Sequence, residues 1–282
     1  MNVMNESEMQ GQIVTRILKQ ARARRNTSDI PGFEAAFEMC RASGITQDQT
    51  AQLAGVSRRW YGQLEAGRPG NYSDTFLHAV RRILALSDQE WDIVYRVTRG
   101  HAPAAAPVSQ LGALVPDAFR AFIEDSNTFA VYLNDHRWDV LAYNAKTLDL
   151  FPWMKYGLNV MEWALTWPEA RTQLINWEEE WAMPMMAQLL VHADQWRTDE
   201  RLWAVIETVR ADPTARKLWN APDLPAITHP ASEQPRRLYL AGQGDQEFTV
   251  HFMTGTPDAL PTCRLMVVTP GRATALVGND RS

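Results

Sequence analysis

The first chemistry this sequence offers is a set of arginine and glutamine side chains on one short amphipathic stretch. Arg58, Arg59 and Gln63 lie close together between Ser57 and Ala66. A guanidinium forks onto the O6 and N7 acceptors of guanine, and a glutamine amide pairs bidentately with adenine, each good pair contributing roughly 1–3 kcal/mol of discrimination. Lysine would bring charge without the fork. Reading of this kind needs a helix held by its inner face. Tyr61 and Leu64 supply that face, which leaves Arg58, Arg59, Trp60, Gln63 and Glu65 on or near the outer surface.

The elements that must position these side chains lie just upstream. Thr46 is placed as an N-cap with Gln49 to close a capping box, and a short helix with Ala51, Leu53 and Ala54 as its apolar positions stops at Gly55. Gly55 can take the positive φ of a sharp turn, Val56 plugs that turn, and Ser57 caps the next helix. Helix N-termini favour phosphate, so Gln47 and Ser57 are placed to hold a nucleic-acid backbone while Arg58 and Arg59 read bases. The plain alternative is a helical hairpin with a solvated charged face. The spacing from Gln47 to Gly67 fits a complete motif instead.

With Gln47, Leu53, Ala54, Gly55, Val56, Ser57, Glu65 and Gly67 in register, Ile45 to Gly67 closely resembles the Xre/Cro-type helix-turn-helix family. The resemblance implies double-stranded DNA as partner. It makes Thr46, Gln47, Ser57, Arg58, Arg59, Trp60 and Gln63 the candidate DNA-binding residues, with Arg68 at a phosphate contact just beyond the helix. Trp60 is bulkier than the residue many relatives carry, and either touches a thymine methyl or sugar or folds back against its own domain.

A chain of 282 residues is too long for this motif alone and implies a second domain. Net charge is −5, yet residues 1–100 carry 13 basic against 11 acidic side chains and residues 101–282 carry 15 against 22. The surplus around the motif is modest, so few phosphates are neutralised per subunit and useful affinity needs a homodimer on a pseudo-palindromic site. The acidic second domain would discourage nonspecific binding. No apolar run approaches a membrane span, the polar start is unlike a signal peptide, and Cys40 and Cys263 stand far apart. A cytoplasmic protein without a disulfide or metal site is expected.

Helices are expected over 10–25, 33–41, 73–85 and 87–98 around the motif, giving a mainly α domain of five helices over residues 1–98. The basic end of the first, with Lys19, Arg22, Arg24 and Arg25, reads as a solvated turn that complements the helix dipole rather than as a phosphate contact. An Ala- and Pro-rich linker covers residues 99–115. Beyond it the runs 128–133 and 138–143 signal a β-hairpin with His136 solvated at its tip, and Asn144 caps a helix through Leu150. Residues 163–219 read as mostly helical, with one helix running from Pro168 toward Trp196. Strands at 237–241, 247–253 and 263–269 complete an antiparallel sheet, so residues 116–282 form an α+β domain.

Nine of the eleven tryptophans fall in this second domain, with Met183, Met185 and Met186 clustered among them. Any single one of Trp177, Trp181, Trp196 or Trp203 is better read as core. So much aromatic surface together reads as the wall of a pocket for an apolar small molecule. The segments TFAVYLNDHRWDVLAYNAKTLDLF, LNVMEWAL, EARTQLINWEEEWA and DERLWAVIETVRADPTARKLW, with THP and RLMVVTP, resemble the ligand-binding domain of the MmyB-like, largely actinobacterial regulators. The anchors are Arg137, Trp138, Asp139, Leu141, Ala142, Asn144, Asn159, Trp177, Leu218, Trp219, His229 and Pro230. The resemblance implies a PAS-like fold whose cavity holds a fatty-acid-like or other small apolar ligand.

The expected lining is Trp138, Tyr143, Asn144, Leu148, Phe151, Asn159, Trp163, Trp177, Trp181, Met185, Tyr239 and Phe252. Leu158 stands where the family usually has arginine, and ASEQPRR follows Pro230 in place of an acidic, Gly-containing stretch, so any carboxylate contact would fall to Arg236 or Arg237. Six scattered histidines and the absence of a phosphate loop or nucleophile elbow argue against an enzyme. Glu178, Glu179 and Glu180 read as a charged helix face. The expectation is a DNA-binding regulator tuned by a ligand; the alternative is a ligand-free second domain that dimerises or contacts RNA polymerase.

Overall fold

The structure is a computed structural model and describes residues 6–37, 44–103, 115–156, 159–221 and 234–271. Cys40, Leu158, His229 and Pro230, the end of the helix expected to Arg41, and most of the linker lie outside the described residues.

The N-terminal domain is helical, and the four flanking helices with the two of the motif make six among the described residues where five were expected: α1 (Glu6–Arg24), a single turn α2 (Phe33–Ala36), α3 (Gln47–Leu53), α4 (Arg58–Glu65), α5 (Asp74–Ile83) and α6 (Asp88–Arg99). Each helix after the second begins where a hydroxyl satisfies free backbone N–H groups. Thr46 and Ser87 close full capping boxes with Gln49 and Glu90, and Ser57 and Ser73 cap α4 and α5. The core that results is built on Leu18, Phe33, Ile45, Tyr61, Leu64 and Leu77. α2 is shorter than expected because Phe37 turns extended, at φ −129°, and packs its ring 4.6 Å from that of Phe33.

The C-terminal domain follows with α7 (Asp117–Glu124), β1 (Ala130–Asp135), β2 (Val140–Tyr143), α8 (Ala145–Leu150), α9 (Val160–Thr166) and α10 (Pro168–Gln173). α11 (Met183–Gln195), α12 (Glu200–Ala211), α13 (Pro213–Trp219), β3 (Arg236–Tyr239), β4 (Glu247–Gly255) and β5 (Cys263–Pro270) complete it. The five strands form an antiparallel sheet in the order β2-β1-β5-β4-β3. Every residue of β1 is buried because both faces of this strand are covered. Val131 and Leu133 pack with Ile123 of α7, while Ala130 and Tyr132 face the large core made with the helices from α8 onward.

Three expectations are corrected. The helix from Pro168 stops at Gln173, because Leu174 leaves it to bridge Leu238 and the Gln173 amide is tied to the Leu150 and Tyr239 carbonyls. The helix resumes as a π-turn, Trp177–Ala182, continuous with α11. His136 is buried at the hairpin tip, its ring stacked 4.1 Å from Trp196 and its Nε2 2.8 Å from an Asp199 oxygen. Glu65 points into the core rather than outward.

The two domains pack directly. Arg82 of α5 meets Glu169 of α10 at 2.9 Å and lies 3.3 Å over the Trp167 ring, and the Gly242 N–H donates to the Ser28 carbonyl. A Cβ on Gly55, whose φ is +68°, would lie 2.9 Å from Pro168 Cγ, so the turn before α4 abuts the C-terminal domain.

Candidate DNA interface and ligand cavity

α4 is held from within. Tyr61 and Leu64 are fully buried, and Glu65 accepts from Nε and Nη2 of Arg22, at 3.0 and 3.2 Å, and from the Gln47 amide at 3.2 Å. Burial alone would raise the Glu65 carboxyl; the bonds from Arg22 and Gln47 and the neighbouring Tyr61 hydroxyl outweigh it and hold the group below the ordinary carboxylate range. Arg22 also donates to the Ile45 carbonyl at 2.8 Å, which fastens α1 to the start of the motif.

The outer face is the uncommitted one. Arg22, Arg24, Arg25, Arg81, Arg82, Arg96 and Arg99 are all in ion pairs inside the protein. At the basic end of α1, Arg22, Arg24 and Arg25 are therefore paired within the protein, while Arg24 and Lys19 stay exposed to solvent. Arg58, Arg59 and Arg68 are exposed and meet no carboxylate among the described residues. Ser57 is exposed and Gln63 half-buried beside them. Thr46 is committed to its capping box, and Gln47 to Glu65. Trp60 folds back, its ring 5.0 Å from Tyr72, and remains partly exposed.

In the C-terminal domain a cavity of about 80 Å³ opens between the sheet and the helices. Alternate residues of three strands make its floor: Tyr132 and Asn134 of β1, Phe252 and Thr254 of β4, and Arg264 and Met266 of β5. Trp153, Trp163 and Met161 close it from above, and Trp181 and Met185 from the π-turn and α11. The π-turn aims Trp181, whose Nε1 donates to the Arg237 carbonyl at 3.1 Å. Trp138 adopts φ +65°, a left-handed conformation rare for an aromatic residue, and so reaches the cavity while its ring packs 4.4 Å from His192.

Arg236 is sunk among these rings. It is 7 % exposed and lies 5.1 Å from the Trp181 ring centre and 5.7 Å from that of Phe252. No carboxylate among the described residues pairs with it, and the nearby Glu180 is bonded to Arg237. Burial pulls the Arg236 guanidinium down to about 10, against the opposing pull of Tyr132 and Glu180. Gln188, 6 % exposed, also lines the cavity.

Two family models match. A helix-turn-helix domain covers residues 15–92, and the MmyB-like transcription regulator ligand-binding domain covers residues 115–276, more than half of the chain. The chain belongs to the MmyB-like transcription regulator family. A search of curated proteins finds no match. The domain pair is that of a DNA-binding transcription regulator, and no helix among the described residues is long and apolar enough to cross a membrane.

Within this MmyB-like domain, Trp138, Phe151, Trp163, Trp181, Met185 and Phe252 line the cavity as expected. Six other candidates do not. Asn144 and Asn159 are frame: Asn144 holds Thr147, Val131, Ser126 and Phe129, and Asn159 caps α9 while bonding Arg137 and Asp139. Trp177 donates its indole N–H to the Ala164 carbonyl under Arg171. Tyr143 and Leu148 pack on the core from outside the cavity, and Tyr239 lies against Gly32 of the other domain. Of the two arginines considered for an acid, Arg236 faces the cavity, and Arg237, on the opposite face of β3, pairs with Glu180 and Glu247. The lining residues missed from sequence, Tyr132, Asn134, Arg264 and Met266 among them, carried a usable signal. They alternate along strands that pair with the strand of Phe252 or with its neighbour.

Proposed function

We propose that this regulator is an Xre-type homodimer that reads a pseudo-palindromic operator with α4 of each subunit and answers to a small apolar acid in the aromatic cavity. Arg236 carries the ligand half of this reading: a buried guanidinium ringed by aromatics, with no carboxylate partner among the described residues, is where an acid head group gains most. The DNA half is supported by the three uncommitted arginines on one face, Arg58, Arg59 and Arg68, with Ser57, Gln63 and Trp60 beside them. So few free cations per copy favour two copies per operator.

The free volume, about 80 Å³, is roughly half the 150 Å³ of a cavity that binds benzene. A chain-like acid must therefore displace Met185 or Met161, which their flexible thioethers allow. The same small volume favours the second reading, a ligand-free module for dimerisation or for contact with RNA polymerase. Decanoate separates the two. It should raise the thermal midpoint of the full chain and alter affinity for operator fragments selected from genomic DNA, and both effects should vanish in Arg236→Leu. An unchanged midpoint, with native mass spectrometry finding no small molecule on the purified protein, would favour the ligand-free reading. Sedimentation showing one chain per operator would reject the homodimer.

A further inference from the structure

A larger cavity, about 350 Å³, lies between the two domains. That is within the roughly 300–1,000 Å³ of small-molecule sites, which favour domain interfaces. Ile30, Leu53 and Ile83 wall it from the DNA-binding side, and Pro152, Trp153 and Tyr156 from the other. Its charges do not cancel. Arg25 is bonded to Asp29 and to the Ile83 carbonyl, and Arg82 to Glu169, which leaves Lys155 as a third cation against two carboxylates. Lys155 lies 4.8 Å from the Tyr156 ring centre and pairs with no carboxylate among the described residues. The Trp153 indole N–H is buried and has no acceptor there either.

We propose that this interdomain cavity is a second effector site, which takes an aromatic molecule bearing a single anionic group. Aromatic faces and aliphatic walls receive the ring, Lys155 receives the anion, and Trp153 offers a donor to an acceptor atom. Both domains supply walls, so an occupant favours the arrangement in which they are docked. The site is distinct from the sensor cavity but shares a partition with it. Trp153 and Trp163 line both cavities, with ring centroids 4.8 Å apart and planes inclined by 12°.

Anilinonaphthalene sulfonate, an aromatic anion whose fluorescence rises on burial, tests the proposal on the folded full-length protein. One saturable site is expected, weakened about tenfold by Lys155→Glu, an exposed substitution. Ala241→Trp, which fills this cavity, should abolish binding, and Thr254→Trp, which plugs the sensor cavity, should preserve it. Circular dichroism checks the fold of each variant, and Lys155→Glu decides alone should Ala241→Trp fail to fold. Absence of saturable binding, or loss in Thr254→Trp with full retention in Lys155→Glu, would overturn the proposal.

Discussion

Glu65 in the DNA-binding domain and Arg236 in the C-terminal domain are both buried charges, 1 % and 7 % exposed. Glu65 receives Nε and Nη2 of Arg22 and the Gln47 amide, whereas among the described residues Arg236 meets the faces of Trp181 and Phe252 and pairs with no carboxylate. A charge matched inside the protein is part of its frame. A charge left unmatched in a cavity strains the fold and becomes useful only when something outside the chain completes it. The same division runs through the other arginines. Those that brace α1, α5 and α6 are ion-paired, while Arg58, Arg59 and Arg68 on the outer face of the motif meet no carboxylate among the described residues.

The strongest test of the comparison removes the matched charge. Glu65→Leu strands Arg22 and Gln47 and should lower unfolding free energy by about 4 kcal/mol, read as an earlier urea midpoint. If it proves neutral, the network is not the brace of the recognition helix. Next in size, Arg58→Ala combined with Arg59→Ala should weaken operator binding by about 3 kcal/mol, roughly a hundredfold, with the thermal midpoint unchanged. Unchanged affinity and salt slope in anisotropy titrations would remove α4 from the interface.

Asp199 supplies a pH test of the matched kind. Burial opposes its ionisation, but the Leu202 N–H, His136 and Arg137 together hold its carboxyl at about 2, below the ordinary 3.8. A depressed carboxylate stabilises the fold above the ordinary value, and that stability drains away as pH falls from about 4 toward 2. Asp199→Asn should remove about 2 kcal/mol of that acid sensitivity, seen as a shallower fall in urea midpoint across this window. The smallest effect on folding is expected at the unmatched charge. Arg236→Leu should leave stability unchanged or raise it by about 1 kcal/mol, since no partner is stranded, and an earlier midpoint would mean that Arg236 belongs to the frame after all.

Local signals made the N-terminal motif legible in detail. The Thr46 capping box, the Gly55 turn and the Ser57 cap each involve neighbours within a few residues, so one-dimensional spacing carries them. Glu65 was misplaced because its partner is Arg22, distant in sequence, and helical periodicity cannot register such a partner. The cavity was legible by half. The aromatic residues announced it, but Asn144, Asn159 and Trp177 are drawn into backbone bonds that only the folded chain creates.

Sequence alone determined the fold class of both domains and the identity and limits of α3 and α4. Hydrogen-bonded caps, apolar periodicity and the φ freedom of glycine act over a few residues and are written in order along the chain. Tertiary structure decided which charges are free. Whether an arginine faces a carboxylate, a ring or solvent depends on elements brought together from far apart, and that separates Arg236 from Arg237, its immediate neighbour, on opposite faces of one strand.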